Sequence, residues 1–366
     1  MNQEKNQIAY YPGMFDLIKG LAVISVLLTH TQNLFPGEIF IVDTAAPIKS
    51  LIMCAINIIS LGNGILPVFF LVSGFGFRPV NLKKCIKKQA QFLMKPYAFV
   101  SVLTTGIHFC SHYFFFRYLP GSIYATLCVL GGYLLGASLT LEYSGIVFCS
   151  VGSVWYLLAL FGAWILLNCL MLWVPERYTT ASVFGLVILG RVLGSVFAVP
   201  YCIPQMFVGT GYLYAGWLMK KNNWLSGGLS RIKWIAIILL AAVSQIFGKY
   251  ELSGGVWKLG LIDIMGAGCI AFIYIWILLR LDCLEFPLKN QICMIGRYSL
   301  WIICIHTVEN QGLPWYLFAE RWTYDPFVGF VLAVLMKGTV IYVIYRILRW
   351  WNLQKMKKRR MRAQHV

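Results

Sequence analysis

The chain has 366 residues, of which 59% are hydrophobic and only 12% charged, and its mean hydropathy is +0.72. Soluble domains carry about 25% charged residues, so the composition excludes an ordinary soluble enzyme and predicts an all-α polytopic membrane protein. A net charge of +18 would suggest nucleic acid in a soluble protein; here it is explained by cations held in cytoplasmic loops, and no nucleic-acid partner is expected.

The N-terminal stretch MNQEKNQIAYYPGM is polar and has no small-residue cleavage site, so no cleavable signal peptide is expected. The first apolar run, FDLIKGLAVISVLLTH over 15–30, carries Asp16 and Lys19 at one end and His30 at the other. Ionisable groups at membrane depth are costly and mark functional sites by default. Lys19 and His30 are spaced at about three helical turns, so they share a face roughly 16 Å apart along the axis. Asp16 lies one turn before Lys19, close enough to pair with it.

Ten spans are predicted at 15–34, 61–78, 92–112, 153–174, 181–199, 203–219, 233–248, 256–279, 292–311 and 326–348. A further Gly-rich piece, 121–140, is apolar enough to be an eleventh. Charge bias decides. With ten spans and the N-terminus inside, the cytoplasm receives Arg78, Lys83, Lys84, Lys87, Lys88, Arg177, Lys220, Lys221, Arg231, Lys233, Arg280, Lys289 and the basic run of the tail. A single crossing by 121–140 would move Lys220, Lys221 and the tail outside. This segment is therefore read as re-entrant or interfacial, on the outer side, and residues 35–60 as an external loop with an amphipathic piece. The chain reads as one membrane domain over 1–366, multi-pass in the cell membrane, with both termini cytoplasmic. The tail 349–366 sets Trp350 and Trp351 at the interface and a basic run against anionic lipid head groups. Eleven cysteines are scattered without a CxxC pair and read as small buried apolar residues; no metal site is expected.

Five stretches in order carry a family resemblance. Asp16–x–x–Lys19–Gly20–x–Ala22 with its run to His30 resembles the opening of the acyltransferase-3 family of integral membrane O-acyltransferases, whose Arg/Lys–x10–His signature is met by Lys19 and His30. PVFFLVSGF (67–75), VWYLLALF (154–161), FVGTGYLYAGWLM (207–219) and IGRYSLWIICIH (295–306) resemble later motifs of that family. The arginines its members often carry before the third span are lysines here, in KKCIKKQAQFLMKPY (83–97). Lysine keeps the charge but loses the bidentate fork that suits phosphate.

The resemblance implies an O-acyltransferase of bacterial type. It would move an acyl group, usually acetyl, from cytoplasmic acyl-CoA to a hydroxyl of a carbohydrate or glycan-type acceptor. Acyl transfer needs a bound donor, a base for the acceptor hydroxyl and stabilisation of the developing oxyanion. His30 is the candidate base, because imidazole titrates near neutral pH, with Lys19 and Asp16 in support. His306 is the second candidate, or else a core histidine; Glu309 either orients its ring or sits in a loop. His108 and His112 read as interfacial packing. The donor phosphates are expected at Lys83, Lys84, Lys87 and Lys88, and Arg297, in the same donor-binding set, either snorkels or faces the cavity. Ser73 is either a nucleophile or, with Gly74, a site of close helix packing. Trp155 and Tyr156 read as aromatic-belt residues or as the floor of an acceptor groove. An open channel along the Lys19–His30 stripe would join donor to acceptor. Two other classes fit the composition: a secondary transporter, and a non-catalytic membrane protein of glycan assembly.

Overall fold

A computed structural model places Tyr11 and residues 13–36, 49, 64–196 and 199–364. The expected external loop 35–60 lies almost wholly outside these residues. Each of the ten expected spans contains helix among the described residues, but not each is a helix long enough to cross. Among the described residues, five helices are long and apolar enough to cross a membrane: Leu82–Phe116, Gly152–Trp173, Glu176–Val196, Leu261–Leu281 and Pro326–Ile347. A bent pair, Lys289–Arg297 with Ser299–Gly312, makes a sixth if taken as one span.

We number the helices in chain order. Helix α1 runs Asp16–Gln32 and α2 Ile65–Phe75. Helix α3 is the 35-residue Leu82–Phe116. It begins at Asn81, whose side chain accepts the Lys83 amide at 3.0 Å, an N-cap that satisfies one orphan donor. A π-helical turn occupies Ala90–Met94 just before Pro96. Proline lacks an amide proton and its ring clashes with the carbonyl four residues back, so a local widening of the helix there relieves both problems.

The expected third span began at residue 92, yet the helix starts ten residues earlier. Its first two turns, LKKCIKKQ, bury only Cys85 and Gln89. Helix α4, Leu119–Leu135, runs back alongside α3, tied by His112 Nδ1 to Ser122 Oγ at 2.9 Å, His108 Nδ1 to Thr126 Oγ1 at 3.1 Å, and the Tyr97 hydroxyl to the Tyr133 carbonyl at 2.7 Å. The two histidines expected at an aromatic interface thus hold this helix pair together. After α4 the chain doubles back through a two-stranded hairpin, Leu141–Tyr143 (β1) and Ile146–Phe148 (β2), and the Cys149 amide donates to the Cys128 carbonyl at 3.0 Å.

Helices α5 (Trp155–Trp173), α6 (Glu176–Val196) and α7 (Ile203–Lys221) follow, then α8 (Arg231–Phe247) and α9 (Leu261–Leu281). A second short hairpin, Tyr250–Glu251 (β3) with Val256–Trp257 (β4), joins the last two. Asp263, fully buried in the first turn of α9, anchors it by accepting the Leu259 amide at 2.7 Å; a carboxylate there also suits the positive end of the helix dipole.

The expected span 292–311 is broken. Helix α10 (Lys289–Arg297) and α11 (Ser299–Gly312) meet at Tyr298 with an 81° bend. The composition changes at the same point: KNQICMIGR is amphipathic and polar, whereas SLWIICIH is apolar, so the first piece stays at the periphery while the second enters the interior. Helix α12 (Trp315–Arg321) and the long α13 (Pro326–Gln364) complete the chain.

Glycine sets the closest helix contacts. A Cβ on Gly74 of α2 would lie 2.0 Å from the Leu213 carbonyl oxygen of α7, and one on Gly216 would lie 2.1 Å from the Leu71 oxygen. A Cβ on Gly20 of α1 would lie 2.0 Å from the Ile292 oxygen of α10, and one on Gly296 would lie 1.8 Å from the Asp16 oxygen. Small residues let backbones approach where no side chain fits. Ser73 belongs to the first of these seams and accepts a hydrogen bond from Trp164 Nε1 at 2.8 Å.

Candidate active site

A cavity of about 450 Å³ opens where the C-terminal end of α1 meets the N-terminal end of α5. His30 projects into it from the last turn of α1, together with Val26, Thr29 and Asn33. Opposite stand Ser153, Trp155 and Tyr156, from the turn that opens α5. Tyr250, Glu251 and Ser253 of the second hairpin form another wall, and Ser138 and Ser150 a fourth. Trp155 and Tyr156 are only 5% and 7% exposed, so they floor the cavity and are not belt residues. Tyr156 packs edge-on to Phe70 at 5.0 Å and tilted to Phe69 at 5.6 Å, which ties the floor to the PVFFLVSGF helix.

His30 Nε2 lies 3.0 Å from Ser153 Oγ. Behind it, the His306 ring stands 5.3 Å away, centre to centre, at a 51° tilt. His306 is fully buried, and its Nδ1 meets Glu309 Oε1 of the same helix at 2.7 Å. Glu309 is 3% exposed, so it is a ring-orienting carboxylate and not a loop residue. Lys337 of α13, 2% exposed, reaches the same group. Its ammonium lies 3.9 Å from Glu309 Oε1, 2.5 Å from Asn310 Oδ1, and 4.9 Å above the Trp315 ring. Three helices thus deliver two imidazoles, a carboxylate and an ammonium to one place. The carboxylate is paired with the ammonium through Oε1, which also meets His306, while its Oε2 has no hydrogen-bond partner among the described residues; burying two charges is costly unless they are paired.

The other expected site residues form a second cluster at the far end of α1. Asp16 Oδ1 pairs with Lys19 Nζ at 2.8 Å, and its Oδ2 with Arg297 Nε at 3.3 Å. One buried carboxylate therefore holds two cations. The Arg297 side chain is 68% exposed and is not among the residues that line the His30 cavity; it lies beside Lys19 on the shared Asp16 carboxylate. Of the two placements expected for Arg297, the exposed one is seen: it ends α10, at the 81° bend, outside the His30 cavity. Lys83, Lys84, Lys87 and Lys88 lie on exposed faces of α3, outside the cavity.

Among the described residues the Lys19–His30 face is interrupted between the two clusters. Val23, midway along the Lys19–His30 face, is 1% exposed and belongs to the main apolar core. Apolar side chains interdigitate there, as protein interiors do.

Ser153, Asn310 and Lys337 are absent from the sequence-based set. Lys337 carried a usable signal: it stands alone in FVLAVLMKGTVIYV and meets the rule that singled out Lys19 and His30. Ser153 carried none, since an isolated serine beside a span is common.

Helices of this length and apolarity define a multi-pass membrane protein with an acid–base constellation buried in its bundle. The chain belongs to the acyltransferase-3 family: the family model, described as an acyltransferase domain, matches residues 14–346. The protein is thus an acyltransferase of the membrane. No curated protein and no solved structure matches the chain.

Proposed function

We propose that the protein is an O-acyltransferase that takes an acyl group, acetyl in the simplest case, from acyl-CoA and places it on a hydroxyl of a carbohydrate or glycan-type acceptor. The observation that carries this reading is His30: its Nε2 meets a hydroxyl, Ser153 Oγ, at 3.0 Å in the wall of a cavity with an aromatic floor. An acceptor hydroxyl entering that cavity would meet the same nitrogen. His30 takes its proton; the oxygen attacks the thioester carbonyl; the C–S bond breaks and the CoA thiolate leaves with a proton. Trp155 and Tyr156 suit the apolar faces of sugar rings, and Ser138, Ser150, Glu251 and Ser253 supply polar contacts of the kind that fix orientation.

The ten-span arrangement, with both termini in the cytoplasm of a bacterial-type cell, puts His30, Ser153 and the Tyr250 hairpin toward the outer side. It puts Lys19, Arg297 and the α3 lysines toward the inner side. The return of α4 along α3, and of the following hairpin along α4, supports the reading of 121–140 as a re-entrant piece. The donor phosphates then belong to the inner side, at Arg297 with Lys19, Lys83, Lys84, Lys87 and Lys88. A guanidinium can fork onto phosphate, so Arg297, 68% exposed, could supply what the lysines lack. Asp16 holds Arg297 and Lys19 in place. Because Val23 closes the stripe, the donor arm reaches His30 only when side chains between the clusters move. The basic tail favours anionic lipid.

The test is acetyl-CoA binding and cleavage by the purified protein in detergent. Wild type should cleave the thioester slowly; His30→Ala should bind and not cleave; Lys19→Ala should lose binding. Cleavage by His30→Ala at the wild-type rate would refute the assignment of the base, and a wild type that neither binds nor cleaves would refute the donor.

A further inference from the structure

Lys337 is the one charged residue in the apolar part of the last span, and the reaction above gives it no role. It is 2% exposed and touches the polar groups Glu309 and Asn310 and the Trp315 face. Trp315 is itself tied down, its Nε1 donating to the Glu309 carbonyl at 3.0 Å. The ammonium is therefore held on three sides, which a lysine kept only for packing does not require.

The consequence lies one residue further in. Glu309 Oε1 faces His306 Nδ1 at 2.7 Å. If Glu309 is a carboxylate it can only accept, so Nδ1 must carry the ring proton and Nε2 must be bare. If Glu309 is protonated it can donate to Nδ1, and the proton moves to Nε2. His306 Nε2 has no hydrogen-bond partner among the described residues, so nothing else fixes the choice. A lone buried carboxylate takes up a proton instead of staying charged; a carboxylate beside a buried ammonium stays ionised.

We propose that Lys337 is a positioning residue: its charge keeps Glu309 ionised and thereby holds His306 in the tautomer with a bare Nε2, a proton acceptor next to His30. This rests on the reading of His30 as the base, and it makes the second imidazole a partner of the first. The groups facing this cluster are His30 from α1, His306 and Glu309 from α11 and Lys337 from α13; no other charged side chain is paired with them among the described residues.

The experiment compares wild type with Lys337→Met, Lys337→Gln, Lys337→Arg and the double variant Lys337→Met/Glu309→Gln, in two measurements. The first is an infrared difference spectrum, which needs no activity. Lys337→Met and Lys337→Gln should each gain the C=O stretch of one protonated carboxyl; Lys337→Arg should not, and the double variant should lose it. The second is acetyl-CoA cleavage. The neutral variants should lose about 10- to 100-fold in kcat, taking as a guide the loss when a partner that orients a metal-bound imidazole is removed, with KM for acetyl-CoA unchanged and rescue by Lys337→Arg. A merely structural lysine would lower stability without creating the carboxyl band or sparing KM. Absence of the band in both neutral variants overturns the inference whatever the kinetics. A band without any thioester cleavage by wild type leaves the tautomer assignment standing and refutes the acyl-transfer reading instead.

Discussion

Gly296 stands where α10 crosses α1, and a methyl group added there has nowhere to go. Its Cβ would lie 1.8 Å from the Asp16 carbonyl oxygen and 2.7 Å from the Gly20 amide nitrogen, against 3.4 Å or more for an ordinary contact. Both neighbours are helix backbone and cannot turn aside. Gly296→Ala must push the two helices apart by roughly 1.6 Å at this point, the difference between those two distances. Overpacking of this kind costs about 1–3 kcal/mol, and a rigid neighbour puts it at the upper end. Alanine's better helix propensity returns about 1 kcal/mol, so a net loss of about 2 kcal/mol is expected. The same shift moves Arg297 off Asp16, a contact that begins at 3.3 Å, so acetyl-CoA binding should weaken as well. Unfolding in detergent reads the first effect and donor titration the second. Gly106→Ala is the control: it lies inside α3 with nothing within 4 Å of the added atom and should be neutral or gain up to about 1 kcal/mol. If Gly296→Ala unfolds at the same point as Gly106→Ala, the close approach of α1 and α10 is wrong.

Ser73→Ala should keep full thioester cleavage while losing about 1 kcal/mol of stability, the ordinary net value of the Trp164 hydrogen bond; loss of cleavage with unchanged stability would return Ser73 to candidacy as a nucleophile. Ser153→Ala should lower turnover by roughly fivefold, because one hydrogen bond orienting His30 is worth about 1 kcal/mol; an unchanged rate would show that the ring needs no such support. The Tyr11 hydroxyl donates to the Asp282 carboxylate, which, with burial and the Asp282 charge, pushes its pKa up from 10.0 to about 12. A raised pKa favours the neutral phenol, so this contribution to stability is fully present below pH 10 and is lost as pH rises toward 12. Tyr11→Phe should therefore show a shallower fall of unfolding midpoint across that interval, and an identical fall would refute the pairing.

The sequence by itself determined the class, because 59% hydrophobic and 12% charged residues admit few soluble solutions. It located the helices, because each apolar run is longer than a strand and bounded by charge, proline or glycine. It singled out His30, Lys19 and Asp16, because an ionisable group in an apolar run is conspicuous. Three things needed the tertiary structure. Which polar groups meet is a matter of packing between separate helices, whatever their distance along the chain: Asp16 with Arg297, His30 with Ser153, and Lys337 with Glu309. Whether a helix continues or bends is decided by what it lies against, which is why 292–311 read as one span and folds as two. And a shared face on one helix does not make a channel, since the neighbours that pack onto Val23 come from elsewhere in the chain. Periodicity along a helix is local information; the partner across the helix is not, and the chemistry of this site lies in the partners.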